Sequence, residues 1–172
     1  ALPISQLLTL TNWRDLDYLI VDMPPGTGDI QLTLSQSSPL TGAVVVTTPQ
    51  DIALIDAKKG LKMFEKVNVP LLGIIENMSV FICPCCGEVT HIFGEGGAKR
   101  MSEQYGVPML GELPLSPAIR EAADSGRPTV AAEPESAAAK MYRAIAMKIA
   151  GSIAKLGKDY TARMPTISVK ND

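Results

Sequence analysis

Excess positive charge is missing from this 172-residue chain, in which 16 Lys and Arg face 18 Asp and Glu for a net charge of −2. With no basic run there is no electrostatic footprint for nucleic acid or anionic lipid, so neither partner is expected. Long apolar runs are missing too. The longest uncharged stretch, residues 30–50, is broken throughout by Gln, Ser, Thr and Pro, which excludes a bilayer span. No secretory signal pattern opens the chain. Histidine is down to His91 alone, and the three cysteines all fall within residues 83–86. They are too few and too close for a disulfide framework, so the expected compartment is the reducing cytosol and their clustering points to metal or redox chemistry.

What is present is ordinary for a globular protein: 46% hydrophobic and 20% charged residues, with enough length for one core. The first residue is Ala1, and Ala-Leu-Pro-Ile-Ser-Gln reads as the continuation of a preceding segment. Residues 1–157 are expected to form one unit and 158–172, which have no periodicity, a tail.

Four nearly continuous apolar, β-branched runs, 18–21, 43–46, 71–75 and 109–113, predict strands covered on both faces. Between them, Leu54, Ala57, Leu61 and Phe64 make one helical stripe, with Gly60 inside it. A short helix over 98–105 is closed by Gly106. Ser116, Pro117 and Gly126 punctuate a helix ending at Asp124, and a long amphipathic helix over 136–156 carries Ala138, Met141, Ile145, Ile149, Ile153 and Leu156 before stopping at Gly157. Strands alternating with helices predict an α/β fold with a mostly parallel, doubly wound sheet, whose ligands belong at the carboxyl ends of the strands.

After the first run comes Asp22-Met23-Pro24-Pro25-Gly26-Thr27-Gly28-Asp29. An acidic residue at the tip of a buried strand can position a Mg²⁺-bound or attacking water, and the glycines let backbone N–H groups approach a phosphate. The same residues fit a Pro-Gly turn with Asp22 in solvent equally well.

Cys83-Pro84-Cys85-Cys86-Gly87 holds a Cys-x-x-Cys pair on a turn. Two thiolates can grip one metal centre but are half of the four ligands that a zinc ion or four-iron cluster wants. With no second Cys-x-x-Cys, the economical completion is a two-fold homodimer in which Cys83 and Cys86 of each subunit meet. Cys85, between them, is expected to point away from the metal. His91 could complete a three-ligand zinc set, or simply be solvated in a loop that Gly94, Gly96 and Gly97 would make mobile.

Residues 18–29, 45–57 and 76–87, in that order, resemble successive signature segments of the Mrp/ApbC family of P-loop ATPases, and the likeness runs from about Leu16 to about Val130. That family is related to MinD/ParA ATPases and the nitrogenase iron protein. The resemblance implies an iron–sulfur cluster carrier with a MinD-like fold that delivers its cluster to apo-proteins and couples delivery to ATP and Mg²⁺. Asp22 would be the catalytic residue, with Gly26, Gly28 and Asp29 in the Walker B and switch II segment that senses the γ-phosphate. Asn77 would contact the adenine edge, where an amide offers both donor and acceptor, and Pro114 would pack beside the base. From the residues alone, Asn77 begins a turn and 110–114 is a strand with its loop. Cys83 and Cys86 would bridge a [4Fe–4S] cluster across a dimer.

No Gly-x-x-x-x-Gly-Lys-Ser/Thr pattern occurs in the 172 residues. The phosphate-binding loop is expected upstream of Ala1, and this chain alone is expected to bind ATP weakly and not to hydrolyse it usefully. Two other readings compete. Four thiolates could close a structural zinc site that only joins a dimer. A thiol oxidoreductase would want an electropositive setting and a helix N-terminus at the first cysteine, where the sequence has Phe81, Ile82 and Pro84.

Overall fold

A computed structural model describes residues 10–24, 26, 28–37 and 40–156. In chain order its elements are α1 (Asp29–Ser37), β1 (Ala43–Thr47), α2 (Asp51–Lys66), β2 (Leu71–Glu76), β3 (Phe81–Ile82), β4 (Val89–Thr90), α3 (Gly97–Tyr105), β5 (Met109–Glu112), α4 (Pro117–Asp124), α5 (Thr129–Ala132) and α6 (Ala137–Lys155). The expected tail, 158–172, and the stop at Gly157 lie outside the described residues.

The strands β1, β2 and β5 run parallel in the order β1-β2-β5, with α2 crossing from β1 to β2 and the hairpin and α3 leading from β2 to β5. Successive side chains of a strand point to opposite faces, and here both faces are covered. Ile74, fully buried, packs with Val45 against Ala57 and Leu61 of α2 and Met101 of α3. Its neighbour Ile75 turns the other way, into a cluster with Leu110, Leu113 and Ile145 of α6. This two-sided burial is why the runs read as continuous apolar sequence. Leu61 and Ile74, each at 0% exposure, contribute roughly 2 to 3 kcal/mol apiece through the area they remove from water.

Two expectations meet corrections. Residues 18–21 do not form a strand: Tyr18 and Ile20 are 53% and 81% exposed, and no described strand lies alongside them. An apolar run becomes a strand only when a neighbour supplies ladder hydrogen bonds and cross-strand contacts. On α6 the expected stripe holds at Ile145 and Ile149, but in the first turns the inward positions fall one residue later than expected. Ala139 and Ile145 are buried and Tyr142 and Ile149 pack beside the latter's cluster, while Met141 is exposed. The helix itself starts as expected, with the Ser136 hydroxyl accepting from the Ala139 N–H at 3.1 Å. The helix α4 begins on Pro117 and closes through Gly126, but the Ser116 side chain makes no capping bond.

The β3–β4 pair was not foreseen. It is a small antiparallel hairpin with Phe81 opposite Thr90 and Ile82 opposite Val89, inserted between β2 and α3 with the cysteines at its tip.

Candidate functional site

The tip is built by backbone. The Cys83 N–H donates to the Glu88 carbonyl and the Gly87 N–H returns to the Cys83 carbonyl, both at 2.9 Å. Gly87 sits at φ +75°, a left-handed conformation that glycine adopts without the Cβ penalty. The backbone N–H groups of Cys86 and then Cys85, helped by the Cys86 thiol and least by the Cys85 thiol, outweigh desolvation and hold the Cys83 thiol below the usual range, so Cys85 is turned toward Cys83 and not away as expected. Cys85 and Cys86 are exposed and Cys83 half-buried. Thiolates steadied by N–H donors at an exposed tip suit a soft metal centre, and the donors come from the turn rather than from a helix N-terminus. Among the described residues no group of three or more His, Cys, Asp or Glu is placed to hold a metal ion.

His91 lies elsewhere. Its Nδ1 is 3.1 Å from the Ser79 carbonyl oxygen, which can only accept, so that nitrogen donates, and its Nε2 is 3.9 Å from Glu95. The ring therefore ties the end of β4 back to the start of the hairpin while staying exposed, and no group of three metal-ligating residues among the described ones includes it.

The base of the hairpin is stitched to the carboxyl edge of the sheet. The Asn77 N–H donates to Thr47 at the end of β1 at 2.7 Å, and Leu113 donates to the Glu76 carbonyl at 2.8 Å. The Ser79 N–H returns to Leu113 at 3.0 Å, Leu115 donates to Val80 at 2.8 Å, and Phe81 bridges Leu115 in parallel. The strand leading to Cys83 is thus laced to residues 113–115, and Asn77 and Pro114 sit in that lacing. The Asn77 side-chain oxygen accepts from the Met78 N–H at 3.0 Å, with Met78 at φ +54°, so part of its amide serves the turn.

The segment around Asp22 is arranged differently. Asp22, Gly26 and Gly28 are exposed, Pro25 and Thr27 lie outside the described residues, and Asp29 opens α1. Met23 packs against the cluster of Ala43, Met63, Phe64 and Val69, and buried Gln31 donates to the Pro24 carbonyl at 2.9 Å. Among the described residues no strand carries Asp22 to the sheet edge where Asn77 and Pro114 stand.

Glu76 escaped the sequence pattern. It is 2% exposed at the end of β2, and its Oε2 accepts from the Ala98 N–H in the first turn of α3 at 2.6 Å. Its signal was a carboxylate inside an otherwise apolar strand, a position such side chains take only with a partner.

A family profile described as ParA, NUBPL iron-transfer P-loop NTPase matches residues 2–150. An iron-sulfur cluster carrier protein of Pseudomonas fragi is 58% identical over 144 residues, covering 84% of this chain and 50% of that protein. Among solved structures, a nucleotide-binding protein of Archaeoglobus fulgidus in complex with ADP is 39% identical with a TM-score of 0.67, over 78% of this chain and 54% of that one. The septum site-determining protein MinD of Pyrococcus horikoshii, complexed with Mg-ADP, shares the fold at a TM-score of 0.62 and 24% identity, over 90% of this chain and 58% of its own. The chain spans about half the length of the curated relatives it matches. The fold is that of a MinD-like P-loop NTPase, with a parallel sheet between helices. Because the profile runs through the sheet, the cysteine hairpin and most of α6 alike, the chain belongs to the ParA-type family of NUBPL iron-transfer P-loop NTPases.

Proposed function

We propose that this chain holds the cargo site of an iron–sulfur cluster carrier and passes the cluster to apo-proteins. The carrying observation is the hairpin tip, where the Cys83 N–H donates to the Glu88 carbonyl and the Gly87 N–H to the Cys83 carbonyl, both at 2.9 Å, closing Cys83 and Cys86 into one exposed turn. Two such ligands leave a four-coordinate centre half filled, and a second copy supplying its own Cys83 and Cys86 completes a bridged [4Fe–4S] cluster. A site shared between subunits and exposed to solvent is one from which a cluster can leave. The names of the relatives support this reading.

In the whole protein, transfer is coupled to ATP with Mg²⁺. Asp22 positions the metal-bound or attacking water, Gly26, Gly28 and Asp29 follow the γ-phosphate, and Asn77 and Pro114 lie beside the base. The lacing of Asn77 and 113–115 into the strand that leads to Cys83 supports a mechanical link between nucleotide and cargo. Residues 1–157 are assigned to the ATPase domain and 158–172 to a tail, and the thiolates require a reducing compartment such as the cytosol. No helix among the described residues is long and apolar enough to cross a membrane.

Anaerobic reconstitution with iron and sulfide tests the proposal. The expected product is one four-iron cluster per two chains, lost in both Cys83→Ser and Cys86→Ser. Full loading of a strict monomer overturns it, and stoichiometric zinc that resists replacement makes the site structural glue instead. Lacking a Gly-x-x-x-x-Gly-Lys-Ser/Thr loop, the chain as given is expected to bind Mg-ATP weakly in an equilibrium titration.

A further inference from the structure

The hairpin leaves the sheet at Asn77 and comes back at Gly97, and the two ends are held by different means. The outgoing end is laced by backbone bonds to Thr47 and residues 113–115. On the return end, the bond that joins α3 to the sheet edge through a buried side chain comes from Glu76. Its carboxylate, 2% exposed, accepts the Ala98 N–H at 2.6 Å. A carboxylate at the N-terminus of a nine-residue helix meets unpaired N–H groups and the positive end of the helix dipole, so this is a charge-assisted contact shielded from water.

The fit around it is tight. A Cβ on Gly97 would lie 2.8 Å from the Pro49 carbonyl oxygen and 2.7 Å from the Leu54 side chain, so α3 starts in direct contact with the β1–α2 turn. The Ala98 side of the helix is equally closed, with Ala98 at 0% exposure. One residue after Glu76 stands Asn77, whose N–H holds the end of β1. Glu76 therefore sits where the β1 turn, the outgoing end of the hairpin and its return end converge.

We infer that Glu76 is a positioning residue for the Cys83–Cys86 pair, clamping the return end of the hairpin so that the two sulfurs are presented at a fixed place above the sheet edge. This rests on the cysteine pair being the cargo site. Two tips that must meet across a dimer bind a shared metal more tightly when each is already held in place, because less freedom is lost on bridging. The side chain acts through geometry: glutamine keeps the length and an acceptor oxygen, whereas aspartate keeps the charge and falls one methylene short.

Cobalt(II) is the probe, since its thiolate charge-transfer absorption reports cysteine ligation, and amide hydrogen exchange at Ala98 reads the clamp without any metal. Wild-type chain is expected to take up cobalt through Cys83 and Cys86. Glu76→Asp and Glu76→Ala should expose the Ala98 amide to faster exchange and weaken cobalt binding about tenfold, as loss of one charge-assisted bond implies, with the absorption spectrum unchanged in shape. Glu76→Gln, which keeps the reach and the acceptor oxygen but not the charge, should restore most of both. Gly97→Ala, which pushes α3 off the turn without touching Glu76, should reproduce the Glu76→Asp effect and serves if the Glu76 variants do not fold. Wild-type cobalt affinity in Glu76→Asp or Gly97→Ala, despite fast Ala98 exchange, overturns the inference. A wild-type chain that takes up no cobalt, or takes it up equally after Cys83→Ser, overturns the cargo assignment itself, a failure seen before any Glu76 variant is made.

Discussion

The sheet and the cysteine hairpin are held together by different forces. In the sheet and the helices that cover both its faces, Leu61, Ile74 and Leu110 are at 2% exposure or less. In the hairpin each strand is two residues long, Ile82 and Val89 are about half exposed at 49% and 57%, and the shape comes from backbone hydrogen bonds at the tip and base. Burial makes the sheet cooperative, because each side chain supports many others. Local hydrogen bonds leave the hairpin able to open without unfolding the domain, which suits the cluster release proposed for its tip.

The contrast can be broken first from the core between the sheet and α2. Leu61→Ala opens a cavity among Val45, Ala57, Ile74 and Met101 and should cost about 2 to 5 kcal/mol, read as a lower urea midpoint. Thiol alkylation kinetics measured well below that midpoint should not change. Any large change there would mean that the tip depends on the core.

A smaller effect is expected at the turn. Gly87 has nothing within 4 Å of an added Cβ, so Gly87→Ala strains only the backbone at φ +75° and should cost about 1 kcal/mol. It should appear as faster amide exchange at Cys83 and Gly87 while the urea midpoint barely moves, which sharpens the separation of the two regions.

The smallest expected change concerns the thiol itself. Because N–H groups favour the thiolate, alkylation of Cys83 should switch on at lower pH than alkylation of cysteine in an unstructured peptide. Cys86→Ser keeps the backbone donor that contributes most, so the Cys83 profile should rise only slightly in pH. A profile that moves fully to the peptide value would assign the effect to the Cys86 side chain.

Two apolar runs show how far local pattern reaches. Residues 43–46 and 18–21 have the same β-branched, uncharged character, yet the first is a strand paired with β2 and the second is exposed chain. Sequence displays the readiness of a run to be buried on both faces, whereas the neighbour that supplies the ladder lies far away along the chain. The same limit applies at the site. The Cys-x-x-Cys pair and its turn residues are contiguous and were readable, but Cys83 finds its N–H donors only once Gly87 has turned the chain. Asn77 was legible as both a base contact and a turn residue, and its bond to the Met78 N–H shows the turn role.

Sequence alone determined the alternation of strands and helices, the clustering of three thiols and the family likeness, because each depends on residues close together or in fixed order. Tertiary structure decided that Ala139 and Tyr142 face inward at the start of α6, that 18–21 lies outside the sheet, that His91 bonds to Ser79, and that Glu76 meets Ala98. Those outcomes depend on contacts between segments distant in sequence, whose energies exist only after the chain has folded.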